Sequence, residues 1–394
     1  MLGSQCVILS TFVDDIMIEI SEFSFSGPEL ALLFGFVLTF FIQLFYLILM
    51  AAFTLSGRKK REKQVDYPSV SIIIPSRNYE EHLKILIPTL LEQNYPDFEV
   101  VVVDDCSSDG TEWYLAQLKL ESNKLKTSHI IQETDFPNAL AITIGVRAAT
   151  KDWLIFLNPL CRVGGNDWLS SFSKAFRPNT EAVFGFVKYT NSDGSMQKFF
   201  RYEHFDSFIL YGSARYLGLP MPVTDMNIAY KREHFLSLKG FAGVLDSRFS
   251  ENELFINKIS NRKNTAFLLD RPTVVDYIGD TSWYDGMNFK KKQLLLKRKF
   301  TVGQSVFLWI NTITRLVFDG SMIALMFLSP LRYWIAGIWL FKIVHELIWG
   351  IIAMKRLGEK NLLPGLLFLR SLAPLFNSIL TLKQLFTRRK RKWK

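Results

Sequence analysis

The sequence predicts an α/β protein with a mostly parallel central sheet, flanked by transmembrane helices. Strand and helix signals alternate from about residue 68 to 300. One long apolar run precedes that region and two follow it. Strands separated by helical segments predict a parallel sheet covered on both faces. Apolar runs of about 20 residues or more reach across a ~30 Å hydrocarbon core.

The elements read in order. Residues 70–74 (VSIII) form a short apolar strand that ends at Pro75. Residues 80–93 carry Leu83, Ile85, Leu86, Leu90 and Leu91 at helical spacing. Residues 98–103 (FEVVVV) read as a buried strand, 111–120 as a helix and 128–131 as a strand. Residues 138–149 then read as a helix and 153–157 (WLIFL) as a strand. Right-handed crossovers between such strands place a ligand crevice at their carboxyl ends. Functional residues are therefore expected just after Ile74, Val103 and Leu157.

The apolar runs set the rest of the organisation. Residues 30–53 contain one strongly polar side chain, Gln43. Acidic residues precede that run (Asp14, Asp15, Glu19, Glu22) and basic ones succeed it (Arg58, Lys59, Lys60, Arg61, Lys63). Positive charge collects on the cytoplasmic side, so the chain after residue 58 is expected there. Residues 304–328 and 333–354 read as a helical hairpin broken at Ser329, Pro330, Leu331 and Arg332. A weaker stretch, 361–386, carries Pro364, Arg370, Pro374, Asn377 and Lys383, and the basic tail 388–394 comes after it. A full crossing there would place the tail outside, so the stretch reads as an interfacial or re-entrant helix. The expected division is an extracytoplasmic 1–29, a transmembrane helix 30–54, a basic linker 55–67, a cytoplasmic domain 68–300, a transmembrane hairpin 301–355, and an interfacial helix with basic tail 356–394. The expected location is the inner (cytoplasmic) membrane. Arg315, Asp319, Lys342, His345 and Glu346 fall within the hairpin. They pair or snorkel there, face a partner protein, or line a polar path.

Composition excludes several classes. Phe 34 and Trp 9 supply apolar mass for a large core, against disorder. Cys6, Cys106 and Cys161 are far apart, so neither a disulfide scaffold nor a zinc ribbon is expected. The net charge of +10 comes with basic clusters beside apolar runs, which membrane sidedness explains without nucleic acid. Neither GxGxxG nor GxxxxGK[ST] occurs, so the dinucleotide fingerprint and the P-loop fail.

After Val103 comes Asp104-Asp105-Cys106-Ser107-Ser108-Asp109-Gly110-Thr111. Two carboxylates at a strand end suit hydrogen bonds from a base or ribose. Ser107, Ser108 or Asp109 also suits capping of the next helix.

These residues carry a resemblance. Residues 70–80 (VSIIIPSRNYE), Asn94-Tyr95-Pro96 and 98–111 (FEVVVVDDCSSDGT) resemble the start of a family 2 glycosyltransferase with a GT-A fold. Residues 139–150, 153–161, 224–235 and 250–259 keep its layout. With flanking membrane helices, the likeness extends to cellulose synthase-like and ceramide glucosyltransferase-like members. It implies a nucleotide-sugar donor held near Pro75, Arg77, Asn78, Asp104 and Asp105, and a lipid or glycan acceptor. It implies Glu251 as the general base and Glu253 as the second acid. Asp225, Asn227, Arg298 and Phe300 fall on the acceptor and diphosphate side.

The sequence departs from that family at three motifs. The family's Asp-x-Asp, which holds Mg²⁺ or Mn²⁺ against the donor diphosphate, reads Asn158-Pro159-Leu160. Hard divalent cations take charged oxygen ligands, and this pair offers one neutral oxygen. A metal is therefore not expected to bind there. Glu251 stands where the resemblance implies an Asp, adding a methylene, and a shift of ~1 Å costs on the order of 100-fold in rate. It also suits the start of a solvated acidic helix. In the Gln-x-x-Arg-Trp region, 293–300 keeps only a basic run and Phe300. Lys290–Lys292 and Lys297–Lys299 are expected at the anionic membrane surface, or against a diphosphate where they approach the crevice. Two functions are compatible with this pattern: a membrane-bound transferase with a weakened metal site, or a catalytically inactive scaffold or regulator in a membrane-protein complex.

Overall fold

The computed structural model describes residues 26–56, 67–134, 137–190, 194–242, 251–279, 283–362, 365 and 369–387. The acidic N-terminal residues, the basic cluster at 58–63 and the tail 388–394 lie outside the described residues. The chain divides into two compact units: Met1–Leu47 with Ile310–Glu346, and Ile48–Trp309 with Leu347–Lys394.

In the larger unit, β1 (Val70–Ser76), α2 (Glu80–Leu91), β2 (Phe98–Asp105), α3 (Thr111–Glu121), β3 (Leu125–Ile130), α4 (Pro137–Ala148) and β4 (Trp153–Phe156) come after α1 (Gly27–Leu55). Every residue of β2 is buried, as an apolar run must be when helices cover both faces. Helix α2 turns Leu83, Leu86, Ile87 and Leu90 onto the sheet. Helix α4 lies so close to it that a Cβ on Gly145 would meet Ile73 at 2.7 Å.

Among the described residues the main sheet has seven strands, ordered β3-β2-β1-β4-β8-β6-β9, with β6 Ala182–Phe184, β8 Ile228–Lys231 and β9 Thr265–Phe267. Strands β1 to β4 are parallel, β8 runs antiparallel to β4 and β6, and β9 is parallel to β6. A second sheet joins β5 (Cys161–Val163), β10 (Val275–Tyr277) and β7 (Val187–Tyr189). The chain winds outward from β1 through β2 and β3, then returns to β4 on the other side of β1. That reversal opens a crevice at the carboxyl ends. The register aligns Ser76 with Asp104 and Ile73 with Phe156, so the segments after β1, β2 and β4 share one edge.

Among the described residues three helices are long and apolar enough to cross a membrane: α1, α10 (Val302–Leu328) and α11 (Arg332–Leu357). In the smaller unit Phe36 stacks on Phe318 at 4.8 Å, and Gln43 Nε2 donates to Thr314 Oγ1 at 2.7 Å. Lys342 Nζ lies 3.5 Å from Glu346 and 4.6 Å over the Phe318 ring. The last helix, α12 (Arg370–Thr387), sets Phe376 against Phe199 at 5.0 Å.

Candidate active site

The segments after β1 and β2 clasp each other. Asn78 has φ 58°, its Oδ1 accepts from the Ser108 N–H at 2.7 Å, and its own N–H donates to Ser107 Oγ at 2.9 Å. Asp109 accepts from the N–H of Thr111 at 3.0 Å and from that of Glu80 at 3.2 Å. Glu80 accepts in return from the Gly110 N–H at 3.1 Å. The serines and Asp109 therefore shape the loop and start α3.

The paired acids differ. Asp104 is 1% exposed, with Oδ2 2.7 Å from His129 Nδ1 and Oδ1 accepting from the Ser107 hydroxyl. Asp105 carries no such internal bonds among the described residues. Burial raises its carboxyl above the ordinary range, Arg77 opposes the rise, and Asp104 adds to it. Arg77 forms an exposed ion pair with Glu133. Pro75, in β1, lies where β1 has run past its last partner in β4.

The segment after β4 closes on itself. Asn158 Oδ1 accepts from the Leu160 N–H at 2.9 Å, and its carbonyl accepts from the Cys161 N–H at 2.9 Å. Leu160 is buried. The amide oxygen already holds the turn, and the second position is hydrocarbon. These residues do not fit a divalent cation. Among the described residues no group of three or more His, Cys, Asp or Glu is placed to hold a metal ion.

A charged cluster faces that turn. Helix α9 (Trp283–Lys297) brings Lys292 Nζ to 2.8 Å from Asp225 Oδ2 and 3.0 Å from Glu253 Oε1. Asp225 precedes β8, and Glu253 lies in the first turn of α8 (Glu251–Ile259). Asn158, Asp225 and Lys292 line one cavity of about 230 Å³, with Tyr189, Tyr277 and Phe289 among its other walls. Burial raises the Glu253 carboxyl to about 7, Asp225 adds to the rise and Lys292 opposes it. Burial disfavours the Lys292 ammonium, but Asp225 and Glu253 outweigh it and hold its pKa above the ordinary value. Glu251 is fully buried, and burial raises its carboxyl too, against Lys292 and the Asn138 amide.

The structure thus brings Asn158, Asp225 and Glu253 together around a lysine whose basic neighbours suggest the membrane surface. Lys290 also turns inward: it is 2% exposed and 2.6 Å from Glu203. The signal was present as spacing, because Lys290, Gln293 and Leu294 fall at i, i+3 and i+4 and all are buried. Asn227 is buried at φ 55°, and its amide donates to the carbonyls of Phe186 at 2.9 Å and Thr273 at 3.0 Å. Phe300 packs edge-on against Tyr211 at 6.1 Å. Arg298 lies just past α9, with one guanidinium nitrogen buried and without a hydrogen bond among the described residues.

Residues 71–235 match the model of glycosyl transferase family 2. The domain belongs to that family. The amylovoran biosynthesis glycosyltransferase AmsB of Erwinia amylovora is 32% identical over 90 residues, 23% of this chain and 30% of that protein. The poly(ribitol-phosphate) beta-N-acetylglucosaminyltransferase TarS of Staphylococcus aureus is 42% identical over 64 residues, 15% of this chain and 11% of its own. The chain thus spans less than a third of either relative. Among solved structures, the mannosyltransferase PcManGT from Pyrobaculum calidifontis in complex with GDP-Man and Mn2+ aligns with a TM-score of 0.52 at 16% identity. That alignment covers 84% of this chain and 98% of that one, and at such identity it speaks to the fold alone. The fold of the family 2 domain is GT-A, with a mostly parallel central sheet.

Proposed function

We propose that this chain is a membrane-bound glycosyltransferase that moves a sugar from a cytoplasmic nucleotide-sugar to a lipid-linked or polysaccharide acceptor, without a resident divalent cation. The observation that carries this reading is the charged cluster of Asp225, Glu253 and Lys292, built at the strand-end crevice of a family 2 domain. The nucleoside end of the donor lies by Asp105 and Arg77, with Asp104 held behind them by His129 and Ser107. Glu251 takes the proton from the acceptor hydroxyl. The hydroxyl oxygen bonds to the sugar's anomeric carbon. The bond from that carbon to the diphosphate breaks, and its electron pair leaves with the nucleoside diphosphate. A buried carboxyl with a raised pKa is a stronger base once ionised, which favours that proton transfer. The basic residues at 58–63 support a cytoplasmic position for the domain, at an inner membrane.

A second reading is a catalytically inactive subunit of a membrane complex. Its support is the turn after β4, where Leu160 is buried and Asn158 holds backbone. Titration of the purified chain with UDP and GDP, with EDTA or with Mn²⁺, separates the two. The transferase reading expects binding of one nucleotide in EDTA and transfer of radiolabelled sugar to a membrane lipid extract. Asp105→Ala is expected to weaken that binding about tenfold. No binding of either nucleotide favours the inactive subunit.

A further inference from the structure

We infer that the Lys292 ammonium takes the place of the divalent cation and binds the donor diphosphate directly. This inference rests on the transferase reading above. Three observations carry it. First, the turn after β4 has lost its charged oxygens, yet Lys292 lines the same cavity as Asn158. A cation thus stands beside the position where the resemblance implies one. Second, an ammonium has three N–H donors. Asp225 and Glu253 take two of them, at 2.8 and 3.0 Å. The third has no protein partner among the described residues, and the side chain is 25% exposed. Two carboxylates therefore hold the nitrogen in place while one donor remains for a phosphate oxygen, an arrangement fixed before any ligand arrives. Third, the cluster is not strongly anionic. The Glu253 carboxyl is raised to about 7 by burial, so near neutral pH it is partly protonated and repels a diphosphate less than a full carboxylate.

In the reaction the ammonium supplies positive charge where negative charge develops on the leaving oxygen, as the sugar–diphosphate bond breaks and its electron pair moves to the nucleoside diphosphate. No proton need leave Lys292. A preference for diphosphate over monophosphate is expected, because Lys292 and Asn158 line one cavity whose named walls do not include Asp105.

Calorimetric titration of the full chain in detergent micelles tests this, with UDP, GDP, UMP and GMP as probes. In EDTA, the nucleoside diphosphate that binds is expected to bind within about twofold of its affinity in Mn²⁺. Lys292→Met is expected to weaken the diphosphate at least tenfold and the matching monophosphate less than threefold. Lys292→Arg, which keeps the charge, is expected to stay within about threefold of wild type for both. An equal loss for diphosphate and monophosphate in Lys292→Met would overturn the inference, as would no loss in either. Diphosphate binding that requires Mn²⁺ would overturn it while leaving transferase activity standing. Absence of binding by every nucleotide would remove the transferase reading itself.

Discussion

Glu253 is 2% exposed and shares Lys292 with a second acid, Asp225. Burial raises its carboxyl from the ordinary 4.5 to about 7 in the folded chain. Between those values the folded chain keeps a proton that the unfolded chain has lost. Each rise in pH across that window therefore favours unfolding. The full effect is on the order of 3 kcal/mol at most, from ~1.4 kcal/mol per pH unit. Asp225, Lys292 and the neighbouring Glu251 are the charged groups that share this environment. In Glu253→Gln, the fall in melting temperature from pH 4.5 to 7 is expected to be shallower than in wild type, and parallel curves would contradict it. At this scale the sequence was readable only in part. Asp104 and Asp105 could be found because the residues at a strand's carboxyl end face the crevice. That Asp104 would turn inward to His129, 25 residues on, depends on the β2–β3 register. Lys292 could be named only within a basic run that suits either the membrane surface or a diphosphate, because a lysine there looks the same whether it meets lipid or a carboxylate.

Helix α9 shows how an element overrides its composition. Its lysine run reads as facing the anionic membrane surface, yet Lys290 is buried against Glu203, which also accepts from Asn377 Nδ2 at 2.7 Å. Those contacts join α9 to α6 (Ser195–Ser213) and to α12. Burial lowers the Lys290 ammonium to about 8, with Glu203 opposing. Removing one member leaves a buried charge without its partner, which typically costs ~3–5 kcal/mol. Lys290→Ala is thus expected to lower the melting temperature in detergent by several degrees. Glu203→Leu with Lys290→Met, which removes both charges, is expected to recover most of it. A double variant no more stable than Lys290→Ala would show that the ion pair is not the source of the loss. The strands and helices of residues 70–156, by contrast, were legible almost end to end. Their apolar spacing is local, and β2 is buried along its whole length.

For the whole molecule, the proposed membrane attachment and the cytoplasmic side proposed for the family 2 domain are open to a direct test. Leu120, near the end of α3, is 89% exposed. Leu120→Cys, in a chain with Cys6→Ser and Cys106→Ser, offers a reactive thiol on that domain. With the domain on the cytoplasmic side, a membrane-impermeant maleimide should label this variant only after spheroplasts are permeabilised. Labelling of intact spheroplasts would reverse the proposed sidedness. The three apolar helices need no tertiary context to be recognised, because their length and composition alone suffice.

From the sequence alone came the parallel α/β architecture, the apolar helices, the strand-end acids and the absence of charged oxygens at Asn158 and Leu160. These are local properties, carried by periodicity, composition and residue type. Only the tertiary structure brought Lys292 between Asp225 and Glu253, 67 residues from the first of these. It also turned the Asn158 oxygen onto the Leu160 backbone and locked Asp104 behind the crevice. A side chain's charge is written in the sequence, but its partners are chosen by packing between elements distant along the chain.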